Sequence, residues 1–209
     1  MPLYYNTPPA AYPLDLDEVK RFLRIGSVTM YDQVLNLLIQ AMYDQGEIDN
    51  VLQYHYKRQL IKATLVLTLP KFSYTIECPR PPLVSVSSVE YRAETTGTWT
   101  EIDSSKYEVT TETGPNPGLI TFDSDYDVPN FYEDEPYPVR VTYVAGYTND
   151  DGDSTYEQIP AAIRLYAMNV LADYWHERKS TVFTNLDKIA LNESMARLSA
   201  GNKAGRRFG

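Results

Sequence analysis

A single cysteine, Cys78, is all the thiol that this 209-residue sequence contains. One cysteine excludes an intrachain disulfide, and with it the small secreted scaffolds that depend on such bridges. Histidine is nearly as scarce: His55 and His176 stand far apart on different expected elements, which leaves little for a Cys–His or Ser–His pair. Cys78 shares one face of an expected strand with Tyr74 and Ile76, and it reads as a small buried hydrophobe rather than an activated thiol. No G-x-x-x-x-G-K-[ST] or G-x-G-x-x-G run is present, so the common phosphate-cradling loops are missing. No apolar stretch approaches the ~20 residues needed to span a bilayer. The opening MPLYYNTPPAAYP has no basic segment followed by an apolar run, so the expectation is no secretory signal and no membrane, with work in a soluble, reducing compartment. Positive charge is short as well, with 19 Lys and Arg against 28 Asp and Glu and a formal net charge of −9. Such a chain is a poor wrapper of nucleic acid, whose affinity comes largely from Lys and Arg on phosphates.

What is present is a core-forming hydrophobic fraction of 43%, too high for a disordered chain. Tyrosine is abundant at 18 residues. Its broad apolar ring with a polar tip suits surfaces that become buried against partners, and it equally suits strands. The charge is uneven. Residues 123–157 carry a run of acids against one base, Arg140, whereas Lys188, Arg197, Lys203, Arg206 and Arg207 near the C-terminus face only Asp187 and Glu193. A basic tail on an acidic body suggests a docking arm, the plain alternative being a solvated flexible end.

Residues 1–13, rich in Pro and Tyr, read as an extended arm. A helix then starts at Asp15 as N-cap, with Glu18 three residues on and Leu14 and Val19 as a hydrophobic staple, and it stops by Gly26. A second helix is expected over about Met30–Gln45, with Tyr31, Val34, Leu35, Leu38, Ile39, Ala41 and Met42 on its buried side. Residues 45–59 read as a link, with Ile48–Leu52 as a possible extension of that helix. From Leu60 the period changes to two, and strands are expected over about 60–69, 74–78, 84–92, 99–102, 107–110, 119–122 and 139–145. Their short connections favour antiparallel pairing. The segment IPAAIRLYAMNVLADYWHER (159–178) is the central helix, led by Pro160, with Tyr166, Val170, Tyr174 and Trp175 on its core face. A short last helix is expected between Thr184 and Ser199. The fold class is therefore α+β: a helical core over 14–58 and 148–183, an inserted antiparallel β block over 59–147, an N-terminal arm over 1–13 and a C-terminal docking arm over 184–209.

Chemical motifs stay incomplete. Asp123, Asp125 and Asp127 with Asp134 at the twelfth position imitate a calcium loop, but Val128 occupies the sixth position, where the sharp turn needs Gly. Asn149, Asp151 and Asp153 repeat the pattern less completely. Acids are plentiful enough for a carboxylate pair, yet abundance places no two of them together. Trp99 and Trp175 are stackable rings, and Trp175 sits on an apolar stripe. The expectation is no catalytic residue, no metal and no cofactor.

Taken in order, PLDLDEVKRFLRI (13–25), DQVLNLLIQAM (32–42), CPRPPLVSVSSVEYR (78–92), VRVTYVAGY (139–147) and IPAAIRLYAMNVLADYWHER resemble the head–tail connector (adaptor) proteins of tailed bacteriophages, the family of lambda-like siphophages and gene-transfer agents. The resemblance covers about residues 13–180. It implies a virion protein of the neck, assembled in the host cytoplasm as a ring, usually twelve-fold, beneath the portal protein. The ring would continue the channel through which double-stranded DNA passes without sequence-specific binding, and would present its far side to neck or tail completion proteins. By the same similarity Arg197, Lys203, Arg206, Arg207 and Phe208 are the portal-docking anchors. Residues 45–59 and the acidic stretch 123–137 are longer than the family pattern.

Pro79, Arg80, Pro81 and Pro82 form a stiff corner that withholds three N–H donors and stops pairing until Val84. It reads as a joint aiming the β block from the helical core, with Arg80 either solvated or touching a neighbouring subunit. Two other classes stay open: a Tyr-rich β module that binds a glycan or a receptor, and a hydrolase using acids of 123–157.

Overall fold

The computed structural model describes residues 2–93, 98–111, 116–128, 130–131, 136–149 and 151–177. The described residues form two compact units. One takes in residues 2–8 and 62–146, the other residues 9–61 and 147–177.

The second unit is helical. Helix α1, Leu16–Phe22, begins where Asp15 holds an extended conformation and its Oδ1 accepts from the Glu18 N–H at 3.0 Å, satisfying one orphan donor of the first turn. Arg24 and Gly26 then take positive φ, 57° and 61°, and the helix cannot continue. Helix α2, Asp32–Met42, buries Leu35, Ile39 and Met42, an i, i+4, i+7 row. Val34, expected on the buried side, is half exposed. The buried row is narrower than a helical-wheel reading of seven apolar positions suggests.

Helix α3, Val51–Tyr56, lies in the stretch read from sequence as a link. Asn50 organises it. Its Oδ1 accepts from Gln53 N–H at 3.0 Å, and its amide donates to the carbonyls of Asp44 and Glu47 and to Gln53 Oε1. Lys57, left-handed at φ 56°, closes the helix. At six residues it is under two turns, too short to show a period in sequence. Helix α4, Ala161–Glu177, follows a 3₁₀ turn at Tyr156–Gln158 that Thr155 and Gln158 cap reciprocally. Ile163, Ala167, Leu171 and Tyr174 of α4 share one core with Leu35 and Ile39 of α2 and Leu52 and Tyr56 of α3. Arg164 ties α4 to α1 by donating from Nη1 to Glu18 Oε1 at 3.0 Å.

The other unit is antiparallel β. Strands β1 (Leu3–Thr7), β2 (Ala63–Leu69), β3 (Thr75–Cys78), β4 (Leu83–Arg92), β5 (Trp99–Glu101), β6 (Tyr107–Thr110), β7 (Gly118–Phe122) and β8 (Val139–Ala145) make two sheets. The first has the order β1-β2-β8-β4-β5 and the second β3-β7-β6. Residues 3–7, read from sequence as part of an extended arm, are the edge strand of the larger sheet, with Tyr4 opposite Val66 and Tyr5 opposite Leu65. Along β2 and β8 the pairs Ala63–Ala145, Leu65–Tyr143, Leu67–Val141 and Leu69–Val139 put all their side chains in the core. The facing positions Thr64, Thr68, Arg140 and Thr142 stay partly exposed. That is the period-two signal of a sheet with one buried face. Strand β4 departs from it. Its register shifts between Leu83 and Ser85 and again between Val86 and Ser88, so its burial does not alternate.

The proline corner lies inside this unit. It carries the chain from β3 in the small sheet to β4 in the large one, rather than from the helices to the β block. Arg80 has φ 65°, and the Pro81–Pro82 peptide is cis. Two donors hold the corner: Tyr143 Oη to the Pro79 carbonyl at 2.6 Å, and Gly146 N–H to the Pro82 carbonyl at 3.0 Å.

Candidate interaction surfaces

Cys78 is 1% exposed, and burial pushes its thiol up to about 12, the opposite of what a nucleophile requires. Asp123, Asp125 and Asp127 are all exposed, and Asp134 of the same loop lies outside the described residues. The second acidic loop closes on itself. Asn149 Oδ1 accepts from Asp153 N–H at 2.8 Å and Asn149 N–H donates to the Asp153 carbonyl at 2.9 Å. Among the described residues, no group of three His, Cys, Asp or Glu side chains is placed to hold a metal ion.

In the helical unit the polar groups near the core serve packing. Arg58, 2% exposed, donates from Nη1 to Tyr147 Oη at 2.6 Å. His55 stacks on Tyr166 with ring centroids 4.7 Å apart, and Tyr56 meets Tyr166 edge to face at 5.5 Å. Desolvation raises the Tyr56, Tyr147 and Tyr166 phenols above their usual value, so all three are neutral packing groups at ordinary pH. Val170 and Tyr174 are buried, whereas Tyr166 and Trp175 are partly buried against the same core, with Trp175 edge-on to Tyr31 at 5.0 Å.

The outer face of the large sheet carries a brace that sequence inspection does not find. Arg140 on β8 donates from Nε and Nη2 to the two carboxylate oxygens of Glu90 on β4, at 2.7 and 2.8 Å. Its guanidinium lies 4.2 Å from the centre of the Trp99 ring on β5. Three neighbouring strands are joined by one bidentate pair and one cation–π contact. The hydrogen bonds from Arg140 hold the Glu90 carboxyl below its ordinary 4.5. Tyr4, Asn6, Val66 and Thr142 complete a shallow polar depression of about 270 Å³ around this pair. The only available signal was two opposite charges at strand positions 50 residues apart, which become neighbours only once the register is known.

The clearest exposed apolar row runs along α2 and the turn before it. Met30, Val34 and Leu37 follow i, i+4, i+7 spacing and are 74%, 50% and 64% exposed. The other exposed side chains of α2 are Gln33, Asn36 and Gln40, and no charged residue follows Asp32 in the helix. Asp32 itself accepts from Lys20 Nζ at 2.8 Å. A solvent face of a helix ordinarily carries Glu and Lys; an apolar and amide face is what a partner covers. Covering what remains exposed of each such side chain is worth about 1–2 kcal/mol. The residues singled out as docking anchors, Arg197, Lys203, Arg206, Arg207 and Phe208, lie outside the described residues, as does the last expected helix.

No protein-family model matches this sequence. No curated protein matches it either. Solved structures do, over the full chain. A chain in the neck of an empty GTA particle computed with C6 symmetry aligns at TM-score 0.72 and 16% identity, covering 100% of this chain and 98% of that one. A chain in the virion of a native gene transfer agent particle aligns at TM-score 0.73 and 15% identity, with the same coverage. A third, in the neck of a native GTA particle computed with C12 symmetry, aligns at TM-score 0.65 and 14% identity, again with the same coverage. At such identities the likeness is one of fold: a mixed helical and antiparallel β chain with the same overall course.

Proposed function

We propose that this chain is a structural, non-enzymatic component of a phage-type particle neck, a head–tail connector that forms a ring beneath the portal. The observation that carries the reading is the end-to-end fold likeness, with 100% of this chain and 98% of the other aligned, to chains of GTA necks and virions. Partial likeness to a β module or a helical bundle would leave many functions open, because common folds host many activities. An alignment that takes in both units leaves far fewer.

In this reading the ring extends the DNA channel and offers its far side to neck or tail completion proteins. Symmetric necks, computed with C6 and C12 symmetry, are the source of two of the structural relatives, and a twelve-membered ring fits both symmetries. The net charge of −9 suits a channel through which DNA slides, since phosphates are repelled rather than held. Arg197, Lys203, Arg206, Arg207 and Phe208 are proposed to anchor the chain on the portal. That assignment rests on the sequence resemblance and on the basic character of the tail.

The test is electron microscopy of the purified chain incubated with portal-bearing, DNA-filled heads. The expected result is a ring at the portal vertex. Heads that stay bare while the chain stays monomeric would overturn the proposal.

A further inference from the structure

We infer that Arg58, just past the end of α3, binds a carboxylate on the Nε edge of its guanidinium, from a source other than the described residues. The inference concerns the folded chain itself, so it stands or falls independently of the ring reading.

A guanidinium keeps its positive charge in proteins, and burying it without a counter-charge is costly. Arg58 is 2% exposed. Its one side-chain hydrogen bond runs from Nη1 to Tyr147 Oη at 2.6 Å, and its buried Nε has no acceptor among the described residues. Tyr147 supplies no counter-charge. Burial raises its phenol against the pull of Arg58, so the hydroxyl is neutral. The chain around Arg58 brings none either, because residues 51–61 hold Lys57 and Arg58 but no Asp or Glu. Among the described residues, none of the ion pairs Lys20–Asp32, Arg140–Glu90 and Arg164–Glu18 involves Arg58.

Geometry and charge select the ligand. Along the Nε edge of a guanidinium two N–H bonds run parallel, a fork that fits both oxygens of a carboxylate. Arg140 uses that edge on Glu90, at 2.7 and 2.8 Å. Water can accept from Nε but brings no charge. A halide brings the charge but cannot meet both N–H bonds. A phosphate monoester near −2 calls for a second base, and Lys57 directs its Nζ to the Tyr54 ring, 3.5 Å from the centre. Tyr147 is partly exposed, so its pair with Arg58 lies at the rim of the helical core and is approached past that ring.

The experiment uses the full chain labelled with 15N-arginine. The Arg58 Nε–H resonance is followed by NMR as sodium acetate replaces sodium chloride at constant ionic strength. Tyr147→Phe, which removes the acceptor on Nη1, identifies the resonance if Arg58→Lys does not fold. The expected result is a saturable downfield shift with acetate, joined by a melting temperature that rises with acetate in wild type and not in R58K. A resonance already downfield before acetate is added assigns the carboxylate to the protein. It belongs to an acid of the same chain if dilution leaves the resonance there, and to a second copy if dilution returns it. Either outcome upholds the inference. A resonance that stays at the position of free arginine in chloride, in acetate and at every protein concentration would mean that water alone meets Nε, and would overturn it.

Discussion

Glu90 and Arg140 show how much one register-dependent pair can hold. The carboxylate is ionised in the fold to lower pH than in the unfolded chain, because two hydrogen bonds from Arg140 favour its charged form. Its stabilising contribution is therefore complete above about pH 4.5 and is lost as pH falls through the lowered value. The pair is partly solvated, so the effect is modest, on the order of 1 kcal/mol or less. Thermal melts between pH 7 and pH 3 should show a decline below pH 4.5 that is shallower in Glu90→Gln than in wild type. Equal slopes would show that the pair carries none of the acid sensitivity. The Trp99 ring over Arg140 accounts for the tryptophan that the sequence reads as a stackable ring off the core helix.

Elements reveal which signals survive without a structure. Capping chemistry at Asp15 and the period-two runs of β2 and β8 are local, and each matches the structure because neighbours in sequence decide them. Helix α3 and strand β1 are decided elsewhere. The first depends on Asn50 bonding four groups and the second on β2 lying open for pairing, neither of which a window of sequence displays. Val34 lies on the exposed side of α2; in sequence an apolar residue at the surface looks the same as one facing the core. The small sheet also contains a tight contact. A Cβ on Gly118 of β7 would lie 2.5 Å from the Leu83 Cβ and 2.3 Å from its Cδ2, and a Cβ cannot swing away as a side-chain tip can. Gly118→Ala should cost about 1–3 kcal/mol through overpacking, read as a lower denaturation midpoint. In a Leu83→Ala background the same change should cost markedly less, and a full additive penalty would show that the clash lies with other atoms.

On the scale of the whole molecule, order along the chain told more than any single motif. Helices, strands and a final long helix can be read from periodicity, and the sequence resemblance to connector proteins came from their succession. The α2 stripe and the Glu90 brace were not legible, since exposure and strand register are properties of the folded chain. The overall charge yields its own prediction. Purified chain should bind duplex DNA weakly at about 0.15 M salt, and tight binding that falls steeply with added salt would count against a sliding channel. Electrophoretic mobility shifts over a salt series would decide it.

Ile61 and Tyr147 are bridged in parallel, and the Tyr147 N–H donates to the Leu60 carbonyl at 3.3 Å, so the helical unit is stitched shut where residues 62–146 leave and re-enter. A segment that departs and returns through one closed mouth is a cassette. Its hairpins can be lengthened, trimmed or redecorated without re-threading the helices, with β1 as the one strand that must still find its mate. In a family of such chains, the sheet would be the part free to follow a changing neighbour, and the helices the part obliged to stay the same.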